Sequence, residues 1–207
     1  MYTGIMNPKL IVHQKITAIV NRYAIYTPDA DGEKGDLVAF AQQKRMALKE
    51  KISFYSSEDR TTLLFTLRAE KVLDVHGSYF VEDQSGNLIG AFRKNFKKSL
   101  LVSSWTILND NNEPVMEVAE NNTALAIIRR FIGFIPIVGE FLDIIVAFFR
   151  YHFSFRPEGT NEEAGIYKKT TLFRDRYTLF MNDDTYAATD WRVFAALAVA
   201  LDALESR

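Results

Sequence analysis

Apolar and polar residues alternate with period two through most of the chain, and clusters of turn residues interrupt that alternation at intervals. From Tyr23 the sequence reads YAIYTPDADGEKGDLVAFAQQK: an alternating stretch, a Pro/Asp/Gly cluster, a second alternating stretch and a polar or basic exit. Period two places successive side chains on opposite faces of a strand, and Asp, Asn, Gly and Pro supply tight-turn conformations, so this pattern predicts a β-hairpin. It returns from Ile52, from Tyr79, from Trp105 and, more loosely, from Phe153. KLIVHQKITAIV from Lys9 predicts one opening strand, and TTLFRDRYTLFMN from Thr170 predicts a final pair joined through Arg174 to Arg176. Roughly a dozen short antiparallel strands leave exposed edges unless the sheet curls and closes, and closure creates an interior that must be filled.

Two stretches break the alternation. In DWRVFAALAVALDALESR, Asp190 is placed to cap a helix whose residues Val193 through Leu201 are apolar without interruption. A helix with no polar face must be buried. Its uncharged part is far shorter than the roughly 20 residues that span a bilayer, and Asp202 and Glu205 close it off, which makes it the filler of the barrel. The second stretch is NNTALAIIRRFIGFIPIVGEFLDIIVAFFRYHFSF, from Asn121 to Phe155. Gly133, Pro136 and Gly139 interrupt its apolar run, and Glu140 and Asp143 sit near its centre, so it makes a poor membrane span. It predicts two short helices, Ala124 to Ile132 and Glu140 to Phe149, broken at a hinge. One domain over residues 1–207 follows, with a helical insert at about 122–150 and a central helix at about 190–205.

The order of these pieces resembles the tubby C-terminal-like superfamily, which includes the LURP-one-related proteins and the phospholipid scramblases. The resemblance rests on YFVEDQSGNLIGAFRKNFKKSLLVSSWTILNDNNEP, Tyr79 to Pro114, and on the ending DWRVFAALAVALD. It implies a barrel of about twelve antiparallel strands threaded by a hydrophobic helix. It also implies a non-catalytic module, and tubby relatives bind phosphoinositides through basic residues on the barrel.

Composition narrows the function classes. The chain of 207 residues is 48% hydrophobic, 13% aromatic and 25% charged, which describes a globular domain with one sizeable core. A formal net charge of -1 argues against a surface devoted to nucleic acid, and only local charge is informative. The absence of cysteine removes disulfides, thiolate metal sites and thiol nucleophiles. No cofactor and no metal is expected, since acidic clusters such as Asp29 to Glu33, and Asp183 with Asp184, read as hairpin turns without the late bidentate Glu of a calcium loop. His13, His76 and His152 lie far apart, and no nucleophile elbow, phosphate loop or HExxH segment is present. The N-terminus lacks a basic segment followed by an apolar run, so a cytoplasmic location is expected, with a peripheral membrane association on the lipid reading.

The candidate chemistry is cationic and apolar. Arg93, Lys94, Lys97 and Lys98 follow the third hairpin with Phe96 among them, a pattern suited to phosphate; the alternative is a solvated turn. In the insert, Arg129 and Arg130 flank a loop of Phe131, Ile132, Phe134, Ile135, Pro136, Ile137, Val138 and Phe141. Cations beside an apolar loop suit a membrane surface, with anionic phospholipid or phosphoinositide as the ligand. The other reading is a protein contact, either across one barrel mouth or in a homodimer.

Overall fold

Each of the five hairpin turns among the described residues closes on one residue in the left-handed backbone region: Gly32 (φ 77°), Arg60 (60°), Gly86 (87°), Asn112 (64°) and Gly159 (74°). In the first four turns a side-chain oxygen of Asp29, Asp59, Asp83 or Asn109 accepts from the backbone N–H two residues on, at 2.8–3.1 Å. This geometry requires a short acceptor at the start and a residue tolerating positive φ near the end, which is why DQSGN-like clusters recur between alternating runs. The computed structural model describes residues 5–16, 20–44, 51–70, 77–95, 103–120, 152–171 and 176–205.

The described strands are β1 (Asn7–Ile16), β2 (Val20–Pro28), β3 (Lys34–Lys44), β4 (Lys51–Tyr55), β5 (Leu63–Ala69) and β6 (Ser78–Asp83). They continue as β7 (Leu88–Lys94), β8 (Ser104–Leu108), β9 (Pro114–Glu120), β10 (Phe153–Pro157), β11 (Gly165–Lys169) and β12 (Arg176–Met181). Each strand pairs antiparallel with its sequence neighbours, and β12 pairs with β1, so the twelve-stranded sheet closes into a barrel. Closure leaves no sheet edge of the kind that invites aggregation. Two helices follow, α1 (Asp183–Ala187) and α2 (Trp191–Glu205).

The barrel interior is filled by α2. Val193 through Leu201 are all buried, against inward positions such as Val12, Ile25, Phe92, Trp105 and Ile107. Aromatic pairs tighten the contact: Phe194 lies 5.5 Å from Tyr186 in a stacked arrangement and 6.1 Å from Phe155 edge-on. Gly90 admits the helix to β7, since a Cβ there would stand 2.9 Å from Val193 Cγ2 and 3.0 Å from the Leu108 carbonyl oxygen. The Asp190 carboxylate accepts from the Arg192 N–H at 2.9 Å, the capping expected of it.

The structure bears on three expectations. Of the pair anticipated in TTLFRDRYTLFMN, the described residues hold one strand, β12; Thr170 and Thr171 lie outside strands, because β11 already ends at Lys169 within the fifth hairpin, and residues 172–175 lie outside the described residues. Asp183 and Asp184 are not in a hairpin turn. They occupy the first turn of α1, where Asn182 caps the Thr185 N–H at 2.8 Å and the exposed amides favour negative charge. The terminal helix ends at Glu205, within the bounds expected of it, and Asp202, expected only to close its uncharged part, is buried on it. The expected helical insert at about 122–150 lies outside the described residues, between β9 and β10.

Candidate anion-binding mouth of the barrel

In a closed meander, successive connections alternate between the two ends. The five described hairpin turns and the start of α2 form one mouth. The odd-numbered strands end at the other, together with the C-terminal part of α2.

Arg93 and Lys94 belong to β7 itself, as its last two residues, rather than to a turn after it. Neighbouring strand residues face opposite ways. Arg93, aligned with Ser78 and Thr106, is exposed on the outside. Lys94 is aligned with the buried Trp105 and faces the lumen, its Nζ 5.3 Å from the centre of the indole. Asn95 then turns the chain, donating from Nδ2 to Thr106 Oγ1 at 3.0 Å and to Ser104 Oγ at 3.2 Å. Lys97, Lys98, Arg129, Arg130 and the apolar loop residues Phe131 to Phe141 lie outside the described residues. The described residues that flank them, Asn95 and Ser103 on one side and Glu120 and His152 on the other, lie at this mouth.

Cations that the sequence reading did not single out gather here too. Lys15 near the end of β1 is aligned with Arg22 near the start of β2, and Lys51 opening β4 is aligned with Arg68 near the end of β5. Lys15, Arg22, Lys51 and Arg93 are exposed and form no ion pair among the described residues. Arg68 pairs with Glu82 at 2.7 Å and lies 5.1 Å over Phe80. Lys168 and Lys169 close β11 over Phe180 (4.8 Å) and Tyr177 (6.0 Å). The signal that could have found part of this set is the basic exit of three of the five hairpins, RAEK, FRK and YKK, which holds Arg68, Arg93, Lys94, Lys168 and Lys169; Lys15, Arg22 and Lys51 stand outside those exits.

Below the rim lies a polar floor. Asp202 on α2, 5% exposed, accepts from Tyr23 Oη at 2.7 Å and from Gln14 Nε2. Burial, followed by the charge and hydrogen bond of Asp202, pushes the Tyr23 hydroxyl well above its ordinary range. Tyr167, 3% exposed, stacks on Tyr177 at 5.6 Å and has a buried hydroxyl without a hydrogen-bond partner. Burial first, then Tyr177, Asp202 and Tyr23, keep that hydroxyl protonated. His152, just ahead of β10, is lowered by burial and then by Lys168.

The opposite mouth carries a cleft of about 420 Å³ between the β6–β7 and β8–β9 turns and the α1–α2 link. Its charged lining is Asp83, Asp110, Asp190 and Arg192. Asp83 is held below the usual carboxylate range by the Asn87 side chain and by turn N–H groups, and Asp190 pairs with Arg192 at 2.7 Å. Among the described residues, no three metal-ligating side chains converge and no helix is long and apolar enough to cross a membrane.

Neither the curated proteins nor the solved structures contain a match to this chain. The family model described as LURP-one-related matches residues 37–202, from within β3 to the buried aspartate of α2, with β1 and β2 ahead of the matched span. With most of the barrel and its central helix inside that span, the chain belongs to the LURP-one-related family, within the tubby-like superfamily.

Proposed function

We propose that the protein is a non-catalytic module that binds anionic phospholipid surfaces, a peripheral association with the cytoplasmic leaflet. The observation that carries this reading is the group Lys15, Arg22, Lys51 and Arg93: exposed cations without ion pairs among the described residues, in a chain whose formal net charge is -1. Carboxylates are plentiful in this sequence, so cations kept clear of them remain available to an external anion. Arginine offers phosphate a bidentate donor fork and lysine a mobile point charge. Each basic residue held near an anionic leaflet adds roughly 1 kcal/mol, so a few together give reversible adsorption without a specific headgroup pocket.

The test is co-sedimentation with vesicles of phosphatidylcholine containing phosphatidylserine. Lys51→Glu with Arg93→Glu lowers partition at least tenfold at low salt, taking the cited contribution per cation, and leaves the melting temperature unchanged because both side chains are exposed. Unchanged partition refutes the reading. Lys97→Glu with Lys98→Glu, and Phe134→Ser with Ile135→Ser, extend the test to the candidates outside the described residues. A change in solution mass with unaltered vesicle binding in the Phe134→Ser, Ile135→Ser protein favours the protein-contact reading instead.

A further inference from the structure

The exposed charges of the described residues are sorted along the barrel. The exposed carboxylates, Glu70 apart, lie in or beside the hairpin turns and in α1, among them Asp31, Glu58, Asp110, Glu113, Glu158 and Asp184. The exposed cations, Lys34 and Arg60 apart, lie at strand ends of the other mouth: Lys15, Arg22, Lys51, Arg68 and Arg93. The β2–β3 turn leans toward the outer face of the barrel, with Gly32 against Pro8 and Glu33 paired to Arg176 at 2.8 Å, so it neutralises one cation of β12. Arg68 is likewise paired, with Glu82 at 2.7 Å; Lys15, Arg22, Lys51 and Arg93 keep the separation, and a net charge near zero conceals it.

The azimuth of the cations matters as much as their height. They stand on β1, β2, β4, β5 and β7, and the half-buried Lys168 and Lys169 continue the circle on β11. Charges at one axial level but on many sides of a cylinder touch a plane together only when that plane is perpendicular to the axis. A side-on approach engages a few of them and brings turn carboxylates toward the surface. The strands rise about 3.3 Å per residue, so strands of five to eleven residues keep the far mouth beyond the roughly 8 Å screening length of physiological salt. From this geometry we infer that the barrel docks end-on, the mouth holding the C-terminal part of α2 against the anionic bilayer and the hairpin-turn mouth facing away. The inference rests on the lipid reading above and adds to it an orientation and a contact face.

The absence of cysteine permits a direct test with single labels in the full-length chain. Glu70→Cys beside β5 and Thr170→Cys beside β11 lie at exposed positions of the basic mouth, on strands six apart in a ring of twelve and therefore on opposite sides. Asp110→Cys and Glu158→Cys lie at exposed positions of the other mouth. Each carries a polarity-sensitive fluorophore and meets phosphatidylcholine vesicles with and without phosphatidylserine, with headgroup-level nitroxide lipid as quencher. Residues 70 and 170 respond to similar extents, and residues 110 and 158 stay at their vesicle-free emission. A response from only one of residues 70 and 170 overturns the end-on orientation in favour of side-on binding, and a response from 110 or 158 overturns it outright, in both cases with lipid binding intact. If no labelled protein pellets with the anionic vesicles, the lipid reading falls and the orientation falls with it.

Discussion

Leu197 lies at the middle of α2 and is 1% exposed, so its truncation measures how completely the barrel encloses the helix. Leu197→Ala removes three carbons, worth about 2.4 kcal/mol at roughly 0.8 kcal/mol per buried methylene. A cavity term adds to this, and measured leucine truncations in cores range over about 2.7–5 kcal/mol according to how far the surroundings collapse. Here the surroundings are a hydrogen-bonded cylinder whose strands cannot move inward singly, which places the expected loss at about 4 kcal/mol. For a chain of this length each kcal/mol corresponds to roughly 2–4 °C, so the melting temperature falls by about 8–16 °C. Urea unfolding followed by tryptophan fluorescence gives the free energy, and a scan by circular dichroism gives the midpoint. Leu197→Asp places an unpaired carboxylate in the same site and leaves no folded protein. A Leu197→Ala protein destabilised by less than about 1 kcal/mol, or a folded Leu197→Asp protein, refutes enclosure of the helix.

Two further outcomes follow from contacts around the helix and the basic mouth. Gly90→Ala drives a methyl group into Val193 Cγ2 at 2.9 Å and the Leu108 carbonyl at 3.0 Å, costing about 1–3 kcal/mol in urea unfolding. Adding Val193→Ala recovers only part of that loss, because the backbone contact persists, and full recovery in the double-mutant cycle contradicts the geometry. His152 has a folded-state pKa below its ordinary 6.5, so the unfolded chain takes up the proton first. Its contribution to stability is complete above pH 6.5 and declines as pH falls from there toward the folded value; His152→Gln flattens that segment of the stability profile, and an unchanged slope contradicts it.

The parts of this fold legible in the sequence are those set by local rules. Period-two alternation and the Asp/Asn to Gly turn chemistry place the hairpins from Tyr23, Ile52, Tyr79, Trp105 and Phe153, and the unbroken run Val193 to Leu201 identifies the buried helix. What resisted reading depends on register and closure. Arg93 and Lys94 look like one basic cluster in a string of letters, yet the pleat sends one outward and the other over Trp105. The burial of Asp202 is not legible locally because Tyr23, which donates to it, is 179 residues away in sequence. The ring of cations on β1, β2, β4, β5 and β7 exists only once twelve strands close and alternate connections share a mouth. No pairwise motif encodes it.

The central claim is that this mouth binds anionic membrane surface, and the most direct measurement is sedimentation of the unmodified protein with phosphatidylcholine vesicles. The phosphatidylserine fraction is raised stepwise, with a parallel phosphoinositide series, at low and at physiological salt. The account predicts partition that rises with anionic content and weakens as salt screens the rim cations. Absence of binding at every composition, or binding equal on neutral and anionic vesicles and indifferent to salt, contradicts it.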